Sequence, residues 1–290
     1  MNPGSKPDGI WRTPDAYPFH LPLVPHYSHL DTERHVNNVA VQSFHLEART
    51  RLLMDTLDRP VWYSDDVLLR PRRTLTQFLG ETHYPHPVTA TAAVLGADAD
   101  RVHLRTALFQ HGDCVGVQDC LLGAWQGDRW VALPDDVSRA LGERPLEAVW
   151  PAETALDAGA FTGYPLQVPL SARYVDLDPD RGLSELALAR YAEQARAGSL
   201  TELRQPELGL LVARIDLSFG RWDLGMGDEV RLATGLGRVG NTSFVLSGGI
   251  AVDGEAVAAA ESVMVLLDRR SHRPTPVAPY ADAMATLRIG

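Results

Sequence analysis

The segment from His29 to Arg49, HLDTERHVNNVAVQSFHLEAR, gathers the side chains best suited to chemistry. Asp31 is followed by His35, Asn37 and Asn38, which stand where a helical run begins. A helix start offers unpaired backbone N–H groups and the positive end of the helix dipole, and these polarise a carbonyl oxygen. A carboxylate a few residues upstream can attack a carbonyl carbon or take a proton from water. Imidazole and carboxamide groups beside it can orient that water or that carboxylate. Each residue also has a plainer reading: Asp31 suits a turn, and Asn37 or Asn38 suits a helix cap.

Three further groups belong to the same inventory. Glu47 is a second candidate carboxylate, but it lies nine residues beyond Asn38, half a turn out of phase on an ideal helix. Arg70, Arg72 and Arg73 surround Pro71; Arg72 and Arg73 are candidates to hold ligand phosphates, against the alternative of a solvated turn. His26, His29 and His35 with Asp31 have no metal-ligand spacing, so neither a metal nor another cofactor is expected. Cys114 and Cys120, six apart in a strand-like run, are expected to be reduced packing residues.

Composition narrows the partners. The formal net charge is −10, which opposes the attraction on which nucleic-acid binding depends. Lys6 is the only lysine, so Schiff-base chemistry is nearly excluded, and a phosphate must be met by Arg, backbone N–H groups or a helix start. There is neither a charged-then-apolar start nor a long apolar run; no signal peptide or membrane span is expected, and the expected location is cytoplasmic. The polar, Pro/Gly-broken first dozen residues are expected to be disordered.

The elements that position these residues occur twice. Tyr17–Arg49 aligns without a gap on Tyr164–Arg196 at an offset of 147, pairing Pro22 with Pro169, Tyr27 with Tyr174, Asp31 with Asp178 and Arg34 with Arg181. Val102–Val117 aligns on Phe244–Ala259 at an offset of 142, and His111-Gly112 falls on Asp253-Gly254, a hairpin signal. The period is too long for a solenoid and means domain duplication. Each copy reads as a strand (20–29 and 166–176), a long helix (36–57 and 183–203), then strands at 73–84, 87–97, 101–110 and 114–125, or at 210–220, 228–238, 242–252 and 255–267. The first helix carries Val36, Val39, Ala40 and Ser43 on one stripe and Val41, Phe44, Ala48 and Leu52 on another, so it is expected to be mostly buried. A linker is expected near 134–161, with a short helix at 135–142. The fold class is therefore α+β, with a first unit at 1–150 and a second at 151–290, each one helix enclosed by an antiparallel sheet.

An aspartate, three residues, then His-Val-Asn-Asn and a helix resembles the motif of the hotdog-fold thioesterases, of both the 4-hydroxybenzoyl-CoA and the plant acyl-ACP type. Asp31, His35, Val36, Asn37 and Asn38 match it. Glu33 stands where the plant enzymes carry Asn, and Arg34 where many relatives carry Gly. The resemblance implies two tandem hotdog units and hydrolysis of an acyl thioester on CoA or acyl carrier protein. Asp31 would be the catalytic carboxylate, an amide near Asn38 part of the oxyanion site, and His35 an assistant. Asp178 is kept in the second copy, but Gly182, Ser184 and Glu185 replace His35, Asn37 and Asn38, so that copy reads as degenerate. The acyl chain is expected in an apolar channel between helix and sheet. Hotdog units pair, so the fused copies resemble a pseudo-dimer in one chain, with one working site and one wall for the substrate; a homo-oligomer is an open expectation. Two other readings stand beside hydrolysis: a 3-hydroxyacyl thioester hydratase or dehydratase, and a non-catalytic acyl-CoA-binding protein.

Overall fold

Proline placement sets the first element of each copy. β1 (Phe19–Leu23) and β7 (Leu166–Ser171) end their strand orders and carry Pro22 and Pro169, which lack an N–H and so suit an edge strand. Neither strand runs as far as its sequence pattern suggests. Tyr27–His29 and Tyr174–Asp176 turn into single 3-10 turns instead. The computed structural model describes residues 7–61, 67–142, 145, 146, 148, 150, 151, 156, 161–203 and 205–289.

The chain divides into two compact units, Met1–Ala152 and Glu153–Gly290. In the first, α1 (Asn38–Leu57) is followed by β2 (Leu68–Phe78), β3 (Val88–Ala97), β4 (Arg101–Gln110), β5 (Asp113–Gln126), the short β6 (Arg129–Val131) and α2 (Asp135–Leu141). Its sheet runs β1-β3-β4-β5-β2, antiparallel throughout, with β6 added to β5. In the second, α3 (Glu185–Ser199) precedes β8 (Leu208–Phe219), β9 (Glu229–Val239), β10 (Ser243–Val252), β11 (Glu255–Asp268), β12 (Arg273–Pro274) and α4 (Ala281–Ala285). The order β7-β9-β10-β11-β8, with β12 on β11, repeats the first. Both central hairpins turn on two residues of positive φ, His111 and Gly112 (56° and 90°) and Asp253 and Gly254 (52° and 82°). That pair of angles is what a two-residue turn matched to strand twist requires.

Both long helices start later than their apolar pattern suggests, because a polar side chain caps them. Asn37 accepts from the N–H groups of Val39 and Ala40, and Ser184 from that of Ala187. Within the expected linker, residues 143, 144, 147, 149, 152–155 and 157–160 lie outside the described residues. Its short helix α2 belongs to the first unit's core through buried Val137 and Leu141. The N-terminal expectation needs correction for residues 9–12. Gly9–Arg12 forms a 3-10 helix, and Trp11 packs edge-on against buried Tyr17, whose hydroxyl donates to the Trp11 carbonyl. Among the described residues no helix is long and apolar enough to cross a membrane.

The first unit's core has an apolar part and a polar part. Val41, Phe44, Ala48 and Leu52 pack against Ala90, Ala92, Leu104, Leu108 and Leu122 of the sheet. Beside them the same helix buries Gln42, His45 and Arg49. His45 Nδ1 shares a 2.8 Å hydrogen bond with Thr106; Arg49 donates to Gln118, which donates to Thr76. These polar groups lie between helix and sheet, beside the apolar contacts. On the opposite face of β4 and β5, Asp119 accepts from His103 and from two nitrogens of Arg105, all fully buried. Removing one partner from such a network strands a buried charge and typically costs about 3–5 kcal/mol.

Burial, with a smaller push from the Arg49 charge, drives the His45 imidazole down to about 3. An unfolded chain protonates the same group near 6.5. As pH falls below that value the unfolded state takes the proton first, so stability falls by about 1.4 kcal/mol per pH unit from this group alone. His45→Gln keeps a hydrogen-bonding group that does not titrate. The drop in thermal midpoint from pH 7 to pH 5 should be clearly smaller in His45→Gln than in the parent; equal drops would show that His45 does not carry this dependence.

Candidate active site

The residues before α1 form a closed loop. The Asp31 N–H donates to the His35 carbonyl (2.9 Å), the Arg34 N–H to the Asp31 carbonyl (3.1 Å), and Leu30 and Val36 form an antiparallel bridge. Arg34 sits at φ 68°, in the left-handed region that favours glycine. This accounts for Gly at that place in the resembling motif. The carboxylate of Asp31 closes the inside of the loop: Oδ1 accepts from the N–H groups of Glu33 (2.9 Å) and His35 (3.1 Å). Two further bonds tie the loop down, from the Asn37 N–H to the His29 carbonyl (2.8 Å) and from the Val36 N–H to the Thr82 carbonyl (2.9 Å).

The loop delivers Asn37 as the helix cap, with its Oδ1 2.7 Å from Val39 N and 3.4 Å from Ala40 N. The Val41 N–H reaches the Asn37 carbonyl. Of the donors in the first turn, the Asn38 N–H is the one left without a hydrogen-bond partner among the described residues. Asp31, His35, Asn37 and Asn38 are therefore held in one short, cross-braced segment, each half-buried.

The second unit repeats this backbone and changes the side chains. Asp178 N–H meets the Gly182 carbonyl (2.9 Å), Arg181 has φ 68°, Asp178 Oδ1 accepts from the Asp180 N–H (2.9 Å), and Leu183 N–H reaches the Leu224 carbonyl (2.9 Å). The aspartate common to both copies thus has a structural duty in each. What sets the first copy apart is the chemistry around it. Where Asn38 opens α1, Glu185 opens α3, placing a carboxylate at the helix start.

The remaining sequence candidates sit elsewhere. Glu47 lies further along α1 and forms an exposed 2.8 Å ion pair with Arg51, one turn on. The Arg72 guanidinium lies over the Trp130 ring, 4.3 Å from its centroid. Arg73 is 1% exposed, donates to the Pro151 carbonyl at 2.6 Å and lies 5.7 Å from the Trp150 ring; a guanidinium so enclosed is not presented to solvent. His26 and His29 stack on each other, and His29 meets Phe44 edge-on. Burial first, then the neighbouring His26, lowers the His29 pKa. Cys114 and Cys120 are free and buried. Glu81 and His83, which no motif in the sequence marks, are brought beside His35 by the Val36–Thr82 bond: Glu81 Oε2 is 3.4 Å from His35 Nε2 and 3.7 Å from His83 Nε2. Their distance along the chain left no pattern to find.

No protein-family model matches the sequence, and no curated protein does. Solved structures do. A protein described as an oleoyl thioesterase from Lactobacillus plantarum superposes with a TM-score of 0.71 at 13% identity, over 87% of this chain and 97% of that one. The chain has the double hotdog fold. The 12:0-ACP thioesterase from Umbellularia californica gives 0.68 at 14% identity, over 86% and 94%. An acyl-ACP thioesterase from Bacteroides thetaiotaomicron gives 0.63 at 13%, over 84% and 96%. At such identities the likeness is one of fold. In this double hotdog, both copies keep the loop that leads into the long helix.

The loop's shared design has a measurable consequence. Asp31→Ala and Asp178→Ala should each lower stability by about 1–3 kcal/mol, because the first strips two backbone N–H groups, and the second one, of a charged acceptor. Thermal unfolding of both variants checks this; an unchanged midpoint in either would contradict the bracing role.

Proposed function

We propose that the chain hydrolyses acyl thioesters carried on CoA or acyl carrier protein, at a single site in the first unit formed by Asp31, His35, Asn37 and Asn38. The observation that carries the reading is the helix start. Asn37 satisfies Val39 and Ala40, which leaves the Asn38 N–H as a donor for a developing oxyanion. The relatives of the same double fold support it, since two are named for acyl-ACP substrates.

The chemistry follows from the loop. The Asp31 carboxylate has one oxygen committed to backbone N–H groups, so Oδ2 is the reacting atom. It attacks the thioester carbonyl or takes a proton from the water that does. Charge then builds on the carbonyl oxygen, against the Asn38 N–H and the positive end of α1. In the first case the thiolate leaves a mixed anhydride on Asp31, which water then hydrolyses to the acid, its proton going to the thiolate; in the second the proton that Asp31 takes from water passes to the leaving thiolate and the acid is released directly; no cofactor enters. His35, at the end of the same loop, orients water. Glu185 in the second copy puts negative charge at the corresponding helix start and opposes this chemistry, which assigns the activity to one copy. Glu47, Arg72 and Arg73 take no part in the reading, since each is engaged with other groups.

Asp31→Asn separates bracing from chemistry, because the amide oxygen still accepts from Glu33 and His35. Its thermal midpoint should stay close to that of the parent, while thiol release from acyl-CoA thioesters of graded chain length falls by about 100-fold or more. Full activity in Asp31→Asn would sink the assignment.

A further inference from the structure

We infer that His35, Glu81 and His83 form a binding site for a divalent transition-metal ion of the zinc type, in the first unit only. The three donor atoms lie within 4.8 Å of one another. Both imidazole Nε2 atoms face one carboxylate oxygen, Glu81 Oε2, at 3.4 and 3.7 Å. Ligands about 2.0–2.1 Å from a tetrahedral zinc ion are spaced about 3.4 Å apart along each edge. Two edges of such a site are therefore close to their final length, and the third, no longer than 4.8 Å, closes by rotation of the half-buried His35 ring and the exposed His83 ring. The His35 and His83 rings stand edge to face, 5.4 Å apart at 83°, so their nitrogens converge without stacking.

The backbone beneath the donors is fixed from both sides. His35 ends the loop braced by Asp31. The segment bearing Glu81 and His83 is tied to that loop by Val36 N–H and the Thr82 carbonyl. It is tied to the sheet by buried Gln110, which accepts from the His83 N–H and donates to the carbonyls of His83 and His86, each at 2.9 Å. Donors mounted on so braced a frame lose little further freedom on binding an ion. Two imidazoles and one carboxylate suit zinc and its first-row neighbours, while calcium and magnesium need more oxygen. The side chains are 31%, 41% and 47% exposed, which leaves a fourth position open to water or an anion.

The second copy is an internal control. The bond from Leu183 N–H to the Leu224 carbonyl repeats the tether. At the corresponding positions stand Gly182, Asp223 and Gly225, and Asp223 is held by Arg221 at 2.6 and 2.7 Å. The scaffold therefore forms without the two histidines and the glutamate, and their presence in one copy calls for a purpose other than folding. An exposed histidine–carboxylate pair contributes little to stability on its own.

The inference stands whether or not the chain hydrolyses thioesters, because its test reads binding. The full chain, free of any affinity tag and stripped with chelator, is titrated with Zn²⁺ by calorimetry and with Co²⁺ by visible absorption. The expected result is one saturable equivalent, with the d–d bands of four-coordinate cobalt. Binding should be lost in Glu81→Gln and in His83→Ala, with unchanged thermal midpoints without metal. His86→Ala removes one ring of the separate His86–His111 pair, whose centroids lie 4.5 Å apart, and should bind as the parent does. No saturable binding, undiminished binding in both Glu81→Gln and His83→Ala, or loss in His86→Ala would overturn the inference.

Discussion

The carboxylate of Asp31, turned inward onto the N–H groups of Glu33 and His35, is the constraint on which the first unit's site depends. It holds Arg34 in a left-handed conformation and closes the loop, so that Asn37 arrives at the one position from which it can cap α1. A cap made this way satisfies two helix N–H groups and leaves a third, on Asn38, facing no partner among the described residues. Under the proposed function, bracing and chemistry are concentrated in one residue, and the two carboxylate oxygens divide the work.

Duplication makes that division legible. The second unit keeps the aspartate, the left-handed arginine and the tether to the following loop, so these features belong to the architecture. It lacks the histidine and both asparagines, and it opens α3 with Glu185. The copies share what the fold requires and differ in the residues to which the proposed function assigns chemistry. Retention of Asp178 in the second copy therefore says nothing about catalysis there.

Much of the fold was readable from the sequence because strand and helix periods are local. β4 spans the residues its alternation indicates, and β5 extends one residue past the pattern at each end. The offset between copies carries the order of elements, because both copies repeat it. The helix starts were misplaced by two residues because Val36 and Leu183 continue the apolar pattern, while Asn37 and Ser184 do the capping. The motif from Asp31 to Asn38 was legible for the same local reason. The polar core was not: His45 finds Thr106, and Arg49 finds Gln118, only through the sheet. Glu81 and His83 were missed likewise, since one backbone bond from Val36 to Thr82 brings them to His35.

The account turns on a single N–H group, and proline can remove it. Asn38 is the first helical residue, where proline is well tolerated, and Asn37 at φ −54° and ψ 146° already has the backbone a following proline demands. The measurement is the rate of thiol release by Asn38→Pro against Asn38→Ala, which loses the same side chain but keeps the N–H. The account predicts equal thermal midpoints and a kcat about 10²–10³ lower in Asn38→Pro. Equal rates in the two variants would contradict it.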